Sequence, residues 1–109
     1  MSTTPRNVLL PGHLIQWYEI REVLGHGGFG ITYLATDTNL KQNVAVKEFF
    51  PTEFVYRGLG NKVVANSEKS NEVIQWALTR FIEEGQTLAR FDHPSIVRVI
   101  AVFEANDTA

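Results

Sequence analysis

The residues of this 109-residue chain best suited to chemistry on a phosphate are Gly25-His26-Gly27-Gly28-Phe29-Gly30 and, seventeen positions after Gly30, Lys47. A glycine-rich turn lets backbone N–H groups approach phosphate oxygens that any Cβ would hold off, and a lysine on the next strand adds a full positive charge. Together they read as a nucleotide-phosphate clamp. The same glycine spacing also marks a dinucleotide fold, where a helix follows the glycines and an acidic residue lies about 20 residues on, near Glu48. Here the following run is Ile31-Thr32-Tyr33-Leu34-Ala35-Thr36-Asp37, β-branched and aromatic, so the glycines join two strands. On the strand that follows, Ala45 and Lys47 share one face of the pleat and Val44 and Val46 the other. If Ala45 lines a base site, Lys47 points into the same cavity.

The elements that must position these residues are legible in outline. Strands are expected at about residues 17–25, 30–37 and 42–49, an antiparallel meander broken by the glycine turn and by Asp37-Thr38-Asn39-Leu40-Lys41. Residues 1–12 form a flexible lead-in, loosely held except where Leu9 and Leu10 find a surface. Two β-prone runs, 54–57 and 62–65, flank Gly58-Leu59-Gly60-Asn61 and predict a small accessory hairpin. Ser70 or Asn71 caps a helix reaching about Phe91, where Asp92-His93-Pro94 stops it, and a last strand spans about Val97 to Phe103. Within the helix, Ile74, Leu78, Phe81 and Leu88 mark the face that packs on the sheet. Glu84 lies about 60° from Phe81 and Glu83 about 160° away, so Glu84 faces inward.

Four pieces in order carry a resemblance. Leu24 to Thr32 as glycine loop, Val44-Ala45-Val46-Lys47 as lysine strand, Phe81 to Leu88 as regulatory helix and His93-Pro94-Ser95-Ile96-Val97 as the turn after it resemble the N-terminal lobe of bacterial-type Ser/Thr protein kinases. The likeness covers about residues 12 to 107, and Lys47-Glu48-Phe49-Phe50-Pro51 with Arg80-Phe81 resembles one bacterial subgroup. The resemblance implies an α+β fold, a twisted antiparallel sheet with one long helix, lacking the family's fifth strand and its C-lobe. It implies Leu24, Gly25, His26, Gly27, Gly28, Phe29, Gly30, Thr32, Ala45 and Lys47 as nucleotide contacts, and Glu84, nine residues before His93, as the partner that steadies Lys47. Thr32 stays open between an adenine-facing contact and a good strand residue. ATP, with Mg²⁺ bound through its phosphates, is the implied cofactor pair; the C-lobe and a protein substrate are the implied partners.

No His-Arg-Asp, Asp-Phe-Gly or Ala-Pro-Glu occurs, so the family's catalytic base and magnesium-holding side chains have no counterpart. The reading is a kinase lobe over residues 13–109, cut before the next strand, inactive alone and liable to self-associate at the sheet edges left open. Alternatives are a stand-alone nucleotide-binding or regulatory module, and an interaction domain that has lost nucleotide binding. Composition narrows the partners: a net charge of -2 leaves no footprint for nucleic acid or anionic membrane. With no cysteine there is no disulfide or thiolate zinc site, and neither His13 nor His26 has a ligand partner at useful spacing, so no protein-built metal site is expected. The tryptophans, Trp17 and Trp76, read as core or interface. No apolar run approaches a membrane span and a cytoplasmic location is expected, with an anchor elsewhere in a parent chain left open.

Overall fold

A computed structural model of the chain describes residues 7–90 and 99–109. Four strands, β1 (Leu14–Ile15), β2 (Tyr18–His26), β3 (Gly30–Asp37) and β4 (Gln42–Phe49), pair antiparallel in chain order. The expected meander gains β1, a two-residue strand too short to carry a period, which turns into β2 through Gln16 at φ 54°. In β2 the register skips Arg21 and Leu24, two bulges that deepen the twist just before the glycine turn. The Asp37 turn closes as predicted by its chemistry: Asn39 and Leu40 donate their amides to the Asp37 carboxylate at 2.9 and 3.0 Å.

Alternation along β3 decides which face is core. Ile31, Tyr33, Ala35 and Asp37 are buried and their neighbours are half-buried. Ile20, Ile31, Tyr33 and Ala35 form the centre of a cluster completed by Leu9, Ile15, Tyr18, Phe50 and Val55. The hairpin of β5 (Val55–Arg57) and β6 (Val63–Ala65) therefore closes the core, a larger role than the accessory one expected from its sequence. Its turn needs left-handed backbone, which Gly60 at φ 68° and Asn61 at φ 65° supply. The lead-in is also held from Asn7 onward: Leu9 is buried and gives its amide to the Tyr33 hydroxyl at 3.1 Å, while Leu10 stays exposed.

Helix α1 (Asn71–Leu88) follows a short 3₁₀ turn at Glu68–Ser70. Ser70 occupies the N-cap position, yet its backbone is already helical and its hydroxyl makes no capping bond, lying instead 3.2 Å from the Ser67 hydroxyl. Leu78 is buried, Ile74 packs on the core, and Phe81 meets Phe49 with ring centroids 5.4 Å apart. Gly85, costly in a helix interior by about 1 kcal/mol, has a reason: a Cβ there would stand 3.0 Å from a Val102 methyl.

The predicted last strand is not formed in its described part. Residues 99–103 have no ladder partner among the described residues, so their backbone donors and acceptors are not taken up by the sheet. Phe103 instead stacks on Tyr18, centroids 5.8 Å apart, and the chain end folds back so that Ala109 accepts the Phe49 amide at 2.8 Å. The helix ends at Leu88, about three residues short of the expected Phe91, with Ala89 and Arg90 already in a turn; the stop at Asp92-His93-Pro94, Val97 and the His93 turn lie outside the described residues. Trp17 and Trp76 are exposed at 42% and 63%, which removes the core reading for both. No helix among the described residues is long and apolar enough to cross a membrane.

Candidate functional site

Register places the lysine. Thr32 stands directly opposite Lys47 and Leu34 opposite Ala45, so Thr32, Ala45 and Lys47 share one sheet face. That face is the one turned away from the core: Ala45 and Lys47 are exposed, whereas Val44 and Val46 are half-buried and pack on the core cluster. A cleft of about 480 Å³ opens beside it, bordered by Thr32, Ala45 and Lys47 from the sheet and by Phe81, Glu84 and Leu88 from α1, with residues 99–103 along its other side. Much of its wall is apolar, with Lys47 and Glu84 as the opposite charges on facing elements.

Glu84 borders this cleft and Glu83 does not, although both are exposed. Lys47 and Glu84 face the same space without closing into an ion pair; the described pairs within 4.0 Å are Arg21 with Glu19 and Arg57 with Glu48.

Leu24, Gly25 and His26 end β2, Gly27, Gly28 and Phe29 make the turn and Gly30 opens β3; none of the seven is part of the cleft wall. Its glycines fall into two kinds. At Gly30 a Cβ would sit 2.9 Å from the backbone oxygen of Glu48, so the close approach of β3 to β4 forbids a side chain. Gly25, Gly27 and Gly28 have neither left-handed backbone nor any atom within 4 Å of a would-be Cβ. Within the turn, Gly27 donates to the Gly30 oxygen at 2.9 Å; among the described residues the amides of Gly28 and Phe29 have no acceptor. Phe29 itself is 71% exposed.

Sequence reasoning missed what lies on the far side of Lys47. Glu48, adjacent in sequence and so on the opposite face, is buried and held by Arg57: Nη2 to Oε1 at 2.6 Å and Nη1 to Oε2 at 2.9 Å. Tyr33 donates its hydroxyl to the same Oε1 at 3.0 Å, and burial, ahead of the neighbouring carboxylate, pushes its phenol above the usual value. Arg57 also donates to the Asn7 and Asn61 oxygens and lies over the Phe50 ring at 4.9 Å. An acidic residue directly after the lysine, with an arginine in the next β-prone run, was the available signal. Among the described residues no three His, Asp or Glu side chains gather as a metal-ligand group.

Comparison with known proteins agrees with this geometry. No family model matches the chain. It is 32% identical over 99 residues to serine/threonine-protein kinase PknB of Mycobacterium leprae, covering 91% of this chain and 13% of that protein. With eukaryotic translation initiation factor 2-alpha kinase pek-1 of Caenorhabditis elegans it shares 31% identity over 87 residues, 80% of this chain and 6% of the relative. A solved structure, the PpkA-294 apo form, superposes with a TM-score of 0.91 at 37% identity over 94% of this chain and 36% of its own. The chain thus spans only a minor part of the proteins it matches. With the glycine turn, the outward lysine strand and the facing helix in one frame, these likenesses identify the chain as homologous to the N-terminal lobe of bacterial-type Ser/Thr protein kinases.

Proposed function

We propose that the chain is the ATP-binding portion of a Ser/Thr protein kinase that transfers the γ-phosphoryl group of ATP to protein hydroxyls, and that it transfers none by itself. The observation that carries this reading is the pair of glycine kinds. Gly30 is required by the fold, whereas Gly25, Gly27 and Gly28 satisfy no conformational or packing need of the chain, and such bare backbone beside an outward lysine suits an approaching phosphate. Lys47 would hold the phosphates and Glu84 would steady Lys47 once α1 moves toward β4, removing rotamer freedom before the nucleotide arrives. Thr32 and Ala45, on the same face, would meet the base. Mg²⁺, carried by the phosphates, would offset their charge; the chain offers none of the family's metal-holding motifs. The C-lobe and the protein substrate supply the aligned nucleophile.

Titration of MgATP into the ¹⁵N-labelled chain tests this. Amide shifts confined to Gly25–Gly30, Thr32, Ala45 and Lys47 are expected, with Lys47→Met weakening binding about tenfold at an unchanged melting temperature. Equal losses of binding and stability in Lys47→Met, or shifts elsewhere only, would overturn the reading. Phosphorylation of a generic Ser/Thr substrate by the purified chain would overturn the claim of inactivity.

A further inference from the structure

The segment directly after the lysine strand grips the glycine turn. Phe50 donates its amide to the Phe29 oxygen at 2.9 Å, Thr52 donates its amide to the Gly28 oxygen at 3.1 Å, and the Thr52 hydroxyl lies 3.4 Å from that same oxygen. Both acceptors are carbonyls of the turn, and this has a consequence for its donors. The peptide bonds are trans, so each carbonyl and the next residue's N–H point to opposite sides of one rigid plane. Fixing the Gly28 carbonyl therefore fixes the Phe29 amide, turned away from Thr52. Fixing the Phe29 carbonyl does the same for the Gly30 amide. Each plane has glycine on one side: turning the first changes the Gly28 ψ, and turning the second changes the Gly30 φ, torsions that glycine leaves least restrained.

The grip is itself anchored. Phe50 is fully buried beneath the Arg57 guanidinium, and Pro51, also buried, accepts the Phe54 and Val55 amides at 2.8 and 3.1 Å. One residue before Phe49, Glu48 is locked by Arg57. Thr52 reaches from this rigid corner to the exposed turn.

We propose that Phe50-Pro51-Thr52 is a brace for the glycine turn, and that Thr52 is the positioning residue that presents the Phe29 amide to a nucleotide phosphate. The assignment rests on the nucleotide reading above and adds residues to it that make no contact with the cleft. The brace sets the direction of donors before the ligand arrives, so its worth lies in ordering already done.

The test uses the full chain and two substitutions. Thr52→Pro removes both donors to the Gly28 oxygen; Thr52→Val removes the hydroxyl and keeps the amide. Thr52 is exposed, so the melting temperature should stay within a few degrees for both. In the free protein, Thr52→Pro should shift or broaden the Phe29 and Gly30 amide signals while leaving β2–β3 signals distant from the turn in place. Its MgATP dissociation constant should rise about tenfold, the scale of one hydrogen bond to a charged group, and that of Thr52→Val less than threefold. Unchanged Phe29 and Gly30 signals in Thr52→Pro overturn the brace, as does wild-type affinity in a variant whose turn signals have broadened. If Thr52→Pro does not fold, Thr52→Gly, which loosens the corner and drops the hydroxyl, should weaken MgATP two- to fourfold, and no weakening overturns the proposal. A wild-type chain that shows no MgATP response at all defeats the nucleotide reading and the brace with it, whereas normal wild-type binding with normal Thr52→Pro binding defeats the brace alone.

Discussion

Arg57 clasps the Glu48 carboxylate through two hydrogen bonds, 2.6 and 2.9 Å, with both side chains less than one-tenth exposed. The pair joins the hairpin to the strand that carries Lys47 and lies on the face opposite that lysine. Fork-on-carboxylate geometry is among the stronger polar contacts a protein makes, and here the remaining donors of Arg57 reach the Asn7 and Asn61 oxygens, leaving the buried charge well satisfied. The sheet face used for packing thus stiffens the face left open for a ligand.

Removing one partner should cost much more than removing both. Arg57→Met leaves a buried carboxylate without its counter-charge and is expected to destabilise by about 3–5 kcal/mol, while the double change Glu48→Met with Arg57→Met should fall well short of the single one. Urea unfolding of the two variants beside the unsubstituted chain checks this; a single substitution no worse than the double would mean that the pair is solvated.

The glycines of the turn should separate by experiment as they do by environment. Gly30→Ala drives a Cβ into the Glu48 backbone and should destabilise by about 1–3 kcal/mol. Alanine at Gly25, Gly27 or Gly28 meets open space at ordinary backbone angles, so stability should hold or rise by up to about 1 kcal/mol while MgATP binding weakens. Thermal melts beside nucleotide titrations decide it, and a large loss of stability at Gly27 would remove the distinction.

Tyr33 should make the fold sensitive to base. Its folded phenol titrates above its unfolded value of about 10, chiefly through burial, so the folded state holds the proton longer. The contribution is complete below pH about 10 and is lost as pH rises beyond it, at up to about 1.4 kcal/mol per unit for this one group. Tyr33→Phe should start less stable by about 1–3 kcal/mol, since the buried Leu9 amide loses its acceptor, and then fall less steeply above pH 10. Parallel slopes for the two proteins in urea melts at pH 8–11 would contradict the assignment.

The outer edge of β4 should govern association of the chain with itself. Phe50 gives its amide inward to Phe29 and Phe49 gives its own outward to Ala109, so by alternation the Ala45 amide also points outward. An edge of this kind recruits further strands. Concentration-dependent association in analytical ultracentrifugation is expected, reduced by Ala45→Pro without unfolding, while Val46→Pro should break the β3 ladder and the fold. A strictly monomeric wild-type chain would show that the folded-back Ala109 end already protects the edge.

Local chemistry, readable without any partner, determined the glycine turn, the strands beside it, the helix and the side of the pleat on which Lys47 stands. Period and turn residues act over a few positions, so β2, β3 and β4 were legible to within a residue. Glu84 was distinguishable from Glu83 for the same reason, by angle around one helix. What tertiary structure decided are relationships between segments far apart in the chain. Glu48 reads alone as a charged strand residue, and only the return of Arg57 across the core makes it a buried anchor. Val99 to Phe103 have strand propensity, yet with no neighbour among the described residues to complete their ladder they remain outside the sheet. The grip of Thr52 on Gly28 spans 24 positions and depends on where β4 ends relative to the turn, a distance that only the folded sheet sets.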